Sequence, residues 1–242
     1  ALPILIKMVK SGTIQDCPVT VRDVHRAVKI FGPDIGSVRG KTRRAKSKPI
    51  DPTLVDLCDP KDVHGYVDLM FVERQIFLVT LLDSTKLILI DHIESRKAGD
   101  ILGSFKATVA SLASRGYHLR SVRSDSEGAI EAIKTDLNEM GIEVDLPPTG
   151  EHVSQVERKI QQIKNRIRAH LATLPYKLGP KLLIALVGYC VGRINLVPPS
   201  SLDQAISPAE LFRGHRVNYR NDLALTFGEY VETYEQPDRK SV

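Results

Sequence analysis

Three apolar runs in quick succession constrain this chain more than any other feature. GYVDLMFV (65–72), QIFLVTLLD (75–83) and KLILIDHI (86–93) are each long enough for a strand and are divided by polar turns at Glu73-Arg74 and Asp83-Ser84-Thr85. Turns that short leave each strand no route except back along its neighbour, so residues 64–93 form an antiparallel meander. The runs are nearly continuous in Ile, Leu and Val instead of alternating with polar residues. That pattern suits a sheet covered on both faces.

The downstream segments supply the covers. RKAGDILGSFKATVASLASRG places Ile101, Phe105, Val109 and Leu112 at helical spacing and stops at Gly116; HLRSVRSD is a fourth strand. GAIEAIKTDLNEMG reads as one helix with Ile130, Ile133, Leu137 and Met140 on its inner face, and IEVDLP is a short fifth strand. A long helix is expected from His152 to Leu174, with Val153, Val156, Ile160, Ile163, Ile167, Leu171 and Leu174 as an unbroken stripe. KLLIALVGYCVGRINL is almost wholly apolar and is expected to be a buried helix. The order βββ-α-β-α-β-α-α is that of a ribonuclease-H-like α/β core, a mixed five-stranded sheet flanked by helices.

Residues 51–200 are assigned to that core. Residues 1–50 form a small helical and basic extension: VRDVHRAVKIF is a helix with Val24, Val28 and Phe31 on one face, closed by Gly32-Pro33. Beyond it RGKTRRAKSK, including Arg43 and Arg44, is basic at six of ten positions and is expected to be an arm that cannot pack. Residues 201–242 form a carboxy-terminal extension. ISPAELFRGH is a short helix, and LTFGEYVETYE alternates like the first strand of a partial β domain.

A net charge of +5 points to an anionic partner. Cys17, Cys58 and Cys190 are odd in number and form no CxxC pair, which argues against a disulfide framework or a compact zinc site. No apolar run is long enough to cross a bilayer. The opening ALPILIKMVK has no basic leader and no initiator Met, so a processed piece of a longer chain is expected.

Three acids stand where packing does not require them. Asp68 lies in mid-strand between Val67 and Leu69, a costly place for a carboxylate unless it is paired or metal-bound. Asp125 ends the fourth strand, and Glu157 lies one step past the apolar stripe of the long helix. In a sheet of this order the first and fourth strands are neighbours and the helix crosses above, so the three would converge. Clustered carboxylates suit a pair of Mg²⁺ ions, which take oxygen ligands and stabilise the entering and leaving oxygens of a phosphoryl transfer. On the helix, Glu157, Gln161, Lys164 and Arg168 share a face flanked by Arg158, Lys159 and Arg166, which suits a phosphate-lined groove.

At these residues the chain resembles retroviral and retrotransposon integrase cores. YVDLMFV with FLVTLLDSTKLILI resembles their first strands, VRSDSEGAI their second-Asp segment and GEHVSQVERKIQQIKNRIRAHLATLP their Glu-bearing helix. KIFGPDIGSVRGKTRR and SPAELFRG extend the resemblance to copia-type elements, over roughly residues 20–235. The resemblance implies DDE chemistry: hydrolysis near an element's DNA end, then attack of the freed 3′-hydroxyl on target DNA. It implies Asp68, Asp125 and Glu157 as ligands of two Mg²⁺ or Mn²⁺ ions. It makes Lys164 a contact to the DNA end, with Lys159, Arg158, Gln161 and Arg168 beside it. It also implies a homo-oligomer cut from a polyprotein, acting in the nucleus at integration and otherwise cytoplasmic, with no membrane partner.

Two departures stand out. The His-His-Cys-Cys zinc module of many integrases is reduced here to His25 and Cys17, so no zinc is expected. The Asn-Gly often found before the helix is replaced by Gly150-Glu151-His152, where His152 is an accessory candidate and Glu151 a rival to Glu157. Two other readings remain: a catalytically inactive nucleic-acid-binding remnant, and a nuclease on the same fold.

Overall fold

In the computed structural model, which describes residues 2–32, 61–125, 128–146, 154–199 and 206–230, the three apolar runs form the expected meander. β1 (Asp62–Val72), β2 (Gln75–Leu82) and β3 (Ile88–Ile93) pair antiparallel. Glu73 and Lys86 adopt left-handed φ values of 52° and 56° in the two turns. β4 (His118–Ser124) then pairs parallel with the other edge of β1, and β5 (Glu143–Asp145) pairs parallel with β4. The strand order is β3-β2-β1-β4-β5, with β1 in the centre. This is the ribonuclease-H-like arrangement expected from the order of elements.

Helices cover both faces. α3 (Ala98–Ala113), α4 (Gly128–Glu131) and α5 (Lys134–Glu139) lie on one. Their Ile101, Phe105, Leu112, Ile130 and Leu137 interlock with Val63, Val67, Leu69, Leu78 and Val122 of the sheet. α6 (Ser154–Thr173) and α7 (Pro180–Asn195) lie on the other. There Val156, Ile160, Ile163 and Ile167 pack with Leu183 and Val187 against Met70, Phe77, Val79 and Leu81. Each such side chain taken out of water contributes about 1.5–3 kcal/mol before the entropy of ordering the chain is set against it.

Four expectations are corrected. The helix over 128–141 is broken between α4 and α5. Ile133 leaves helical geometry at φ −103°, ψ 4° yet stays buried, while Met140 is 36% exposed. A continuous apolar pattern does not show the break, because the same residues reach the core from two short helices. α7 is buried along one side only, since Leu182 is 52% exposed. In the amino-terminal pair, α1 (Leu2–Lys10) and α2 (Val21–Phe31), the predicted inner face of α2 keeps only Val24 inside; Phe31 is 81% exposed. α2 nonetheless starts as predicted. Thr20 and Asp23 form a capping box, and those hydrogen bonds to Thr20 hold the Asp23 carboxyl below its ordinary range.

The fourth correction concerns the tail. α8 (Pro208–Arg213) forms as expected, but Leu225–Tyr230 is not a strand. A π-helical turn spans Tyr219–Leu223, and the Arg193 guanidinium of α7 donates to the carbonyls of Asp222 (2.6 Å) and Leu225. Carbonyls capped by a guanidinium and a left-handed Gly228 (φ 80°) do not fit a ladder. Gln15 makes an isolated parallel bridge to Asn218, so the amino-terminal pair and the tail meet. The basic run with Arg43 and Arg44 lies outside the described residues. No described helix is long and apolar enough to cross a membrane.

Candidate active site

The central strands position the first two acids. The parallel register of β1 and β4 ends in the pair Val67–Ser124, both buried. Asp68 and Asp125 each come one residue later. Strand alternation turns them to the opposite face, the one that α6 crosses, on chains roughly 4.8 Å apart. A register shift between Val63 and His64 sets this phase. It makes His64, Tyr66 and Asp68 successive residues of one face of β1, with His64 and Tyr66 opposite Ser121 and Arg123, and Asp125 directly follows the last paired residue of β4. Asp68 Oδ1 also accepts the backbone N–H of Leu69 at 2.7 Å, which fixes its rotamer.

The third acid comes from α6. The stripe Val156, Ile160, Ile163, Ile167 holds this helix on the sheet, so Glu157, next to Val156, lies at the margin of the covered area and is exposed. One contact is explicit: Gln155 Nε2 donates to the Tyr66 hydroxyl at 3.2 Å. The start of α6 is therefore tied to the same face of β1 that carries Asp68. The structure thus brings Asp68 and Asp125 to adjacent positions and Glu157 onto the helix above them. Among the described residues no group of three or more His, Cys, Asp or Glu side chains is placed to hold a metal ion. The donor chemistry of Asp68 and Asp125 fits a divalent cation, since both offer hard oxygen ligands from adjacent strands.

The predicted DNA-facing residues divide. Gln161 Nε2 donates to Asn165 Oδ1 at 2.9 Å, and Arg168 donates to the same oxygen, so the column from Glu157 to Arg168 is a real helix face. Arg158 and Arg168 are exposed and Lys164 is half-buried. Lys159 is half-buried, and its Nζ donates to Gln162 Oε1 at 3.5 Å. Burial, and secondarily the Lys86 charge, lower its pKa. His152 and Glu151 lie outside the described residues. Cys190 is fully buried, and burial pushes its thiol up to about 12, so it is inert; Cys17 is half-buried and also free.

Some polar partners are not singled out by the sequence reading. His64 Nδ1 and Ser121 Oγ are 2.7 Å apart, Arg123 pairs with Asp145 at 3.4 Å, and Arg120 pairs with Asp62 at 3.0 Å. The available signal is the period-two polar series His64, Tyr66, Asp68 and Ser121, Arg123, Asp125. Together these residues make the β1–β4–β5 part of this face open and polar.

In shape, the chain is similar to the catalytic core domain of BIV integrase. The TM-score is 0.46 at 16% sequence identity, and the match covers 62% of this chain and 93% of the BIV chain. No family model matches the sequence, and no curated protein does.

Proposed function

We propose that this chain is a DNA-joining integrase core, and more finely the integrase region of a copia-type LTR retrotransposon polyprotein. The observation that carries the reading is the placement of Asp68 and Asp125 one step beyond the Val67–Ser124 pair, on the face crossed by the helix of Glu157. An ordered set of acids on strand, strand and helix is hard to account for by packing, and the quoted segments favour the copia-type assignment.

In this reading Asp68, Asp125 and Glu157 hold the divalent ions, with Glu157 closing onto the pair when cation and DNA arrive. Bound Mg²⁺ or Mn²⁺ would supply charge stabilisation at the entering and leaving oxygens of an in-line displacement. The Gln155–Tyr66 hydrogen bond positions the first turn of α6. Arg158, Gln161, Lys164 and Arg168 take the phosphates of an element's DNA end, and Arg43 and Arg44 extend the basic surface. The working form is a homo-oligomer that acts in the nucleus.

Purified protein with Mg²⁺ or Mn²⁺ should join an oligonucleotide end into a plasmid, and Asp125→Asn should abolish joining while the circular dichroism spectrum stays unchanged. Cutting without joining would replace this reading by a nuclease. Salt-sensitive DNA binding with neither reaction would replace it by a binding remnant.

A further inference from the structure

β4 carries two arginines, and each pairs through Nε with a carboxylate of a neighbouring strand. Arg120 pairs with Asp62 of β1 at 3.0 Å, and Arg123 pairs with Asp145 of β5 at 3.4 Å. The strand places them differently. Arg123 is in register with Tyr66 and with Asp145, so the three make a row across β1, β4 and β5 on the face that α6 crosses. Two residues on, roughly 6.6 Å along the strands, Asp68 and Asp125 follow on the same side. Arg120 lies in the other direction and is the residue of β4 that the register shift skips.

The Arg123 row is open. α6 packs its apolar stripe on β1, β2 and β3, and no residue of β4 or β5 belongs to that layer. The hydrogen bond from Gln155 to the Tyr66 hydroxyl ties the first turn of α6 to β1, which leaves Arg123 one strand farther out, beside the helix. The Arg123 and Asp145 side chains are 43% and 59% exposed, and an ion pair that accessible contributes little to stability, so another anion displaces it at small cost. Only Nε faces the carboxylate; the two terminal nitrogens of Arg123 make no hydrogen bond among the described residues. A guanidinium binds phosphate best through that planar fork, with two parallel N–H···O bonds. The neighbouring acids restrict where an anion can go. Asp68, Asp125 and Asp145 repel a phosphate except where a cation sits, and Glu143, in register with Ser121, closes the next row. This part of the face suits one phosphate at Arg123 and not a run of them.

We infer that Arg123 holds the phosphodiester next to the reacting one, and that Asp145 is a placeholder which this phosphate displaces. The two-residue step from Arg123 to Asp125 is comparable with the step between neighbouring phosphates of a nucleic-acid strand. A strand whose reacting phosphate lies at Asp68 and Asp125 therefore brings its next phosphate to the Arg123 fork. The inference rests on the integrase reading for what happens at the acids. It adds to that reading a substrate contact on the sheet itself, apart from those of α6, and a carboxylate that competes with the substrate for it.

The test measures binding of a labelled duplex oligonucleotide to the full chain with Mg²⁺, by fluorescence anisotropy across about 50–200 mM salt. Arg123→Ala should weaken binding on the order of tenfold and reduce the slope of log affinity against log salt by about 1, the value of one phosphate contact. Arg123→Lys keeps the charge without the fork, so it should restore the slope and only part of the affinity. Asp145→Asn should act in the opposite sense and tighten binding by roughly twofold or more, since a like charge beside the phosphate is gone. Arg120→Ala, which removes the equivalent exposed pair from the same strand, should change neither affinity nor slope. All four variants should keep the wild-type thermal midpoint, because both ion pairs are solvent-accessible. Unchanged affinity and slope in Arg123→Ala overturn the inference. So does an equal effect of Arg120→Ala, or weakening by Asp145→Asn as large as that by Arg123→Ala. Joining by the same proteins separates the two readings. Wild-type joining, an inactive Asp125→Asn and an undisturbed Arg123→Ala sink this contact alone. No joining by the wild type, with the Arg123 effects on binding intact, sinks the integrase reading and leaves the contact standing.

Discussion

The face of the sheet under α3 and the face under α6 and α7 are built from the same five strands, yet only the first is closed from edge to edge. Under α3, α4 and α5 the apolar contact runs from Leu78 and Leu82 of β2, through Val63, Val67 and Leu69 of β1, to Val122 of β4 and Val144 of β5. Under α6 and α7 it runs through Ile88, Phe77, Val79, Leu81, Met70 and Val72, and then stops. From Asp68 back to His64 on β1, and across to Ser121, Arg123 and Asp145, the same face is polar. A side chain on the closed face contributes through area removed from water; one on the open part is available to ligands. The acids sit at the boundary, where neighbouring apolar packing holds the backbone still and solvent can still deliver a substrate.

Substitution of Asp68 or Asp125 breaks this comparison most sharply if it is wrong. Asp125→Asn should lower DNA joining by at least on the order of 10³-fold, equivalent to about 4 kcal/mol of barrier, with the urea midpoint unchanged. An equal loss of folding stability would mean that Asp125 belongs to the framework and not to the open region.

Across the sheet the expectation reverses. Phe105 is fully buried under α3. Phe105→Ala should cost about 3–4 kcal/mol in urea denaturation through lost burial and the cavity left behind. Tyr66→Phe, on the open side, removes the hydrogen bond from Gln155 and should cost about 0.5–1.5 kcal/mol. Costs of similar size at the two positions would erase the distinction between the faces.

Asn195 tests where the closed part of the α6–α7 face ends at β3. Its buried side chain accepts the Ile88 N–H at 3.0 Å and donates to the Ile88 carbonyl at 2.7 Å. It thereby satisfies both backbone groups that edge strand β3 turns away from β2 at that residue. Asn195→Ala leaves both without that partner and should cost about 2–3 kcal/mol by thermal denaturation, with faster hydrogen exchange at Ile88. Slow exchange in the variant would show that another group covers this edge.

The closed face is legible in the sequence and the open one only in outline. Continuous Ile, Leu and Val in β1–β3 announce a doubly covered sheet, and the spacing of Val156, Ile160, Ile163 and Ile167 announces the helix above it, because burial leaves a local periodic trace. The phase of Asp68 against Asp125 depends on the register shift at Val63–His64, which no local pattern reports. The burial of Lys159 depends on how α6 packs on the rest of the chain and so escapes a helix-face argument. The tail departs from expectation for the same reason. Leu225–Tyr230 alternates like a strand, but Arg193 from α7 takes the Leu225 carbonyl and Phe227 packs on Tyr189, with ring centroids 5.6 Å apart.

Ser104 gives the smallest effect and the finest test of how closed the closed face is. It lies on α3 among Ile101, Phe105 and Thr108, is 4% exposed, and its Oγ has no hydrogen-bond partner among the described residues. A hydroxyl withdrawn from water and given nothing in return destabilises the fold, and alanine is also the better helix former. Ser104→Ala removes one heavy atom, so the cavity it leaves is small. The balance favours the variant by about 1 kcal/mol, which for a chain of this size raises the thermal midpoint by roughly 2–4 °C. A lowered midpoint would show that the hydroxyl has a partner after all, and that the face under α3 carries a polar network where a dry apolar layer is now inferred.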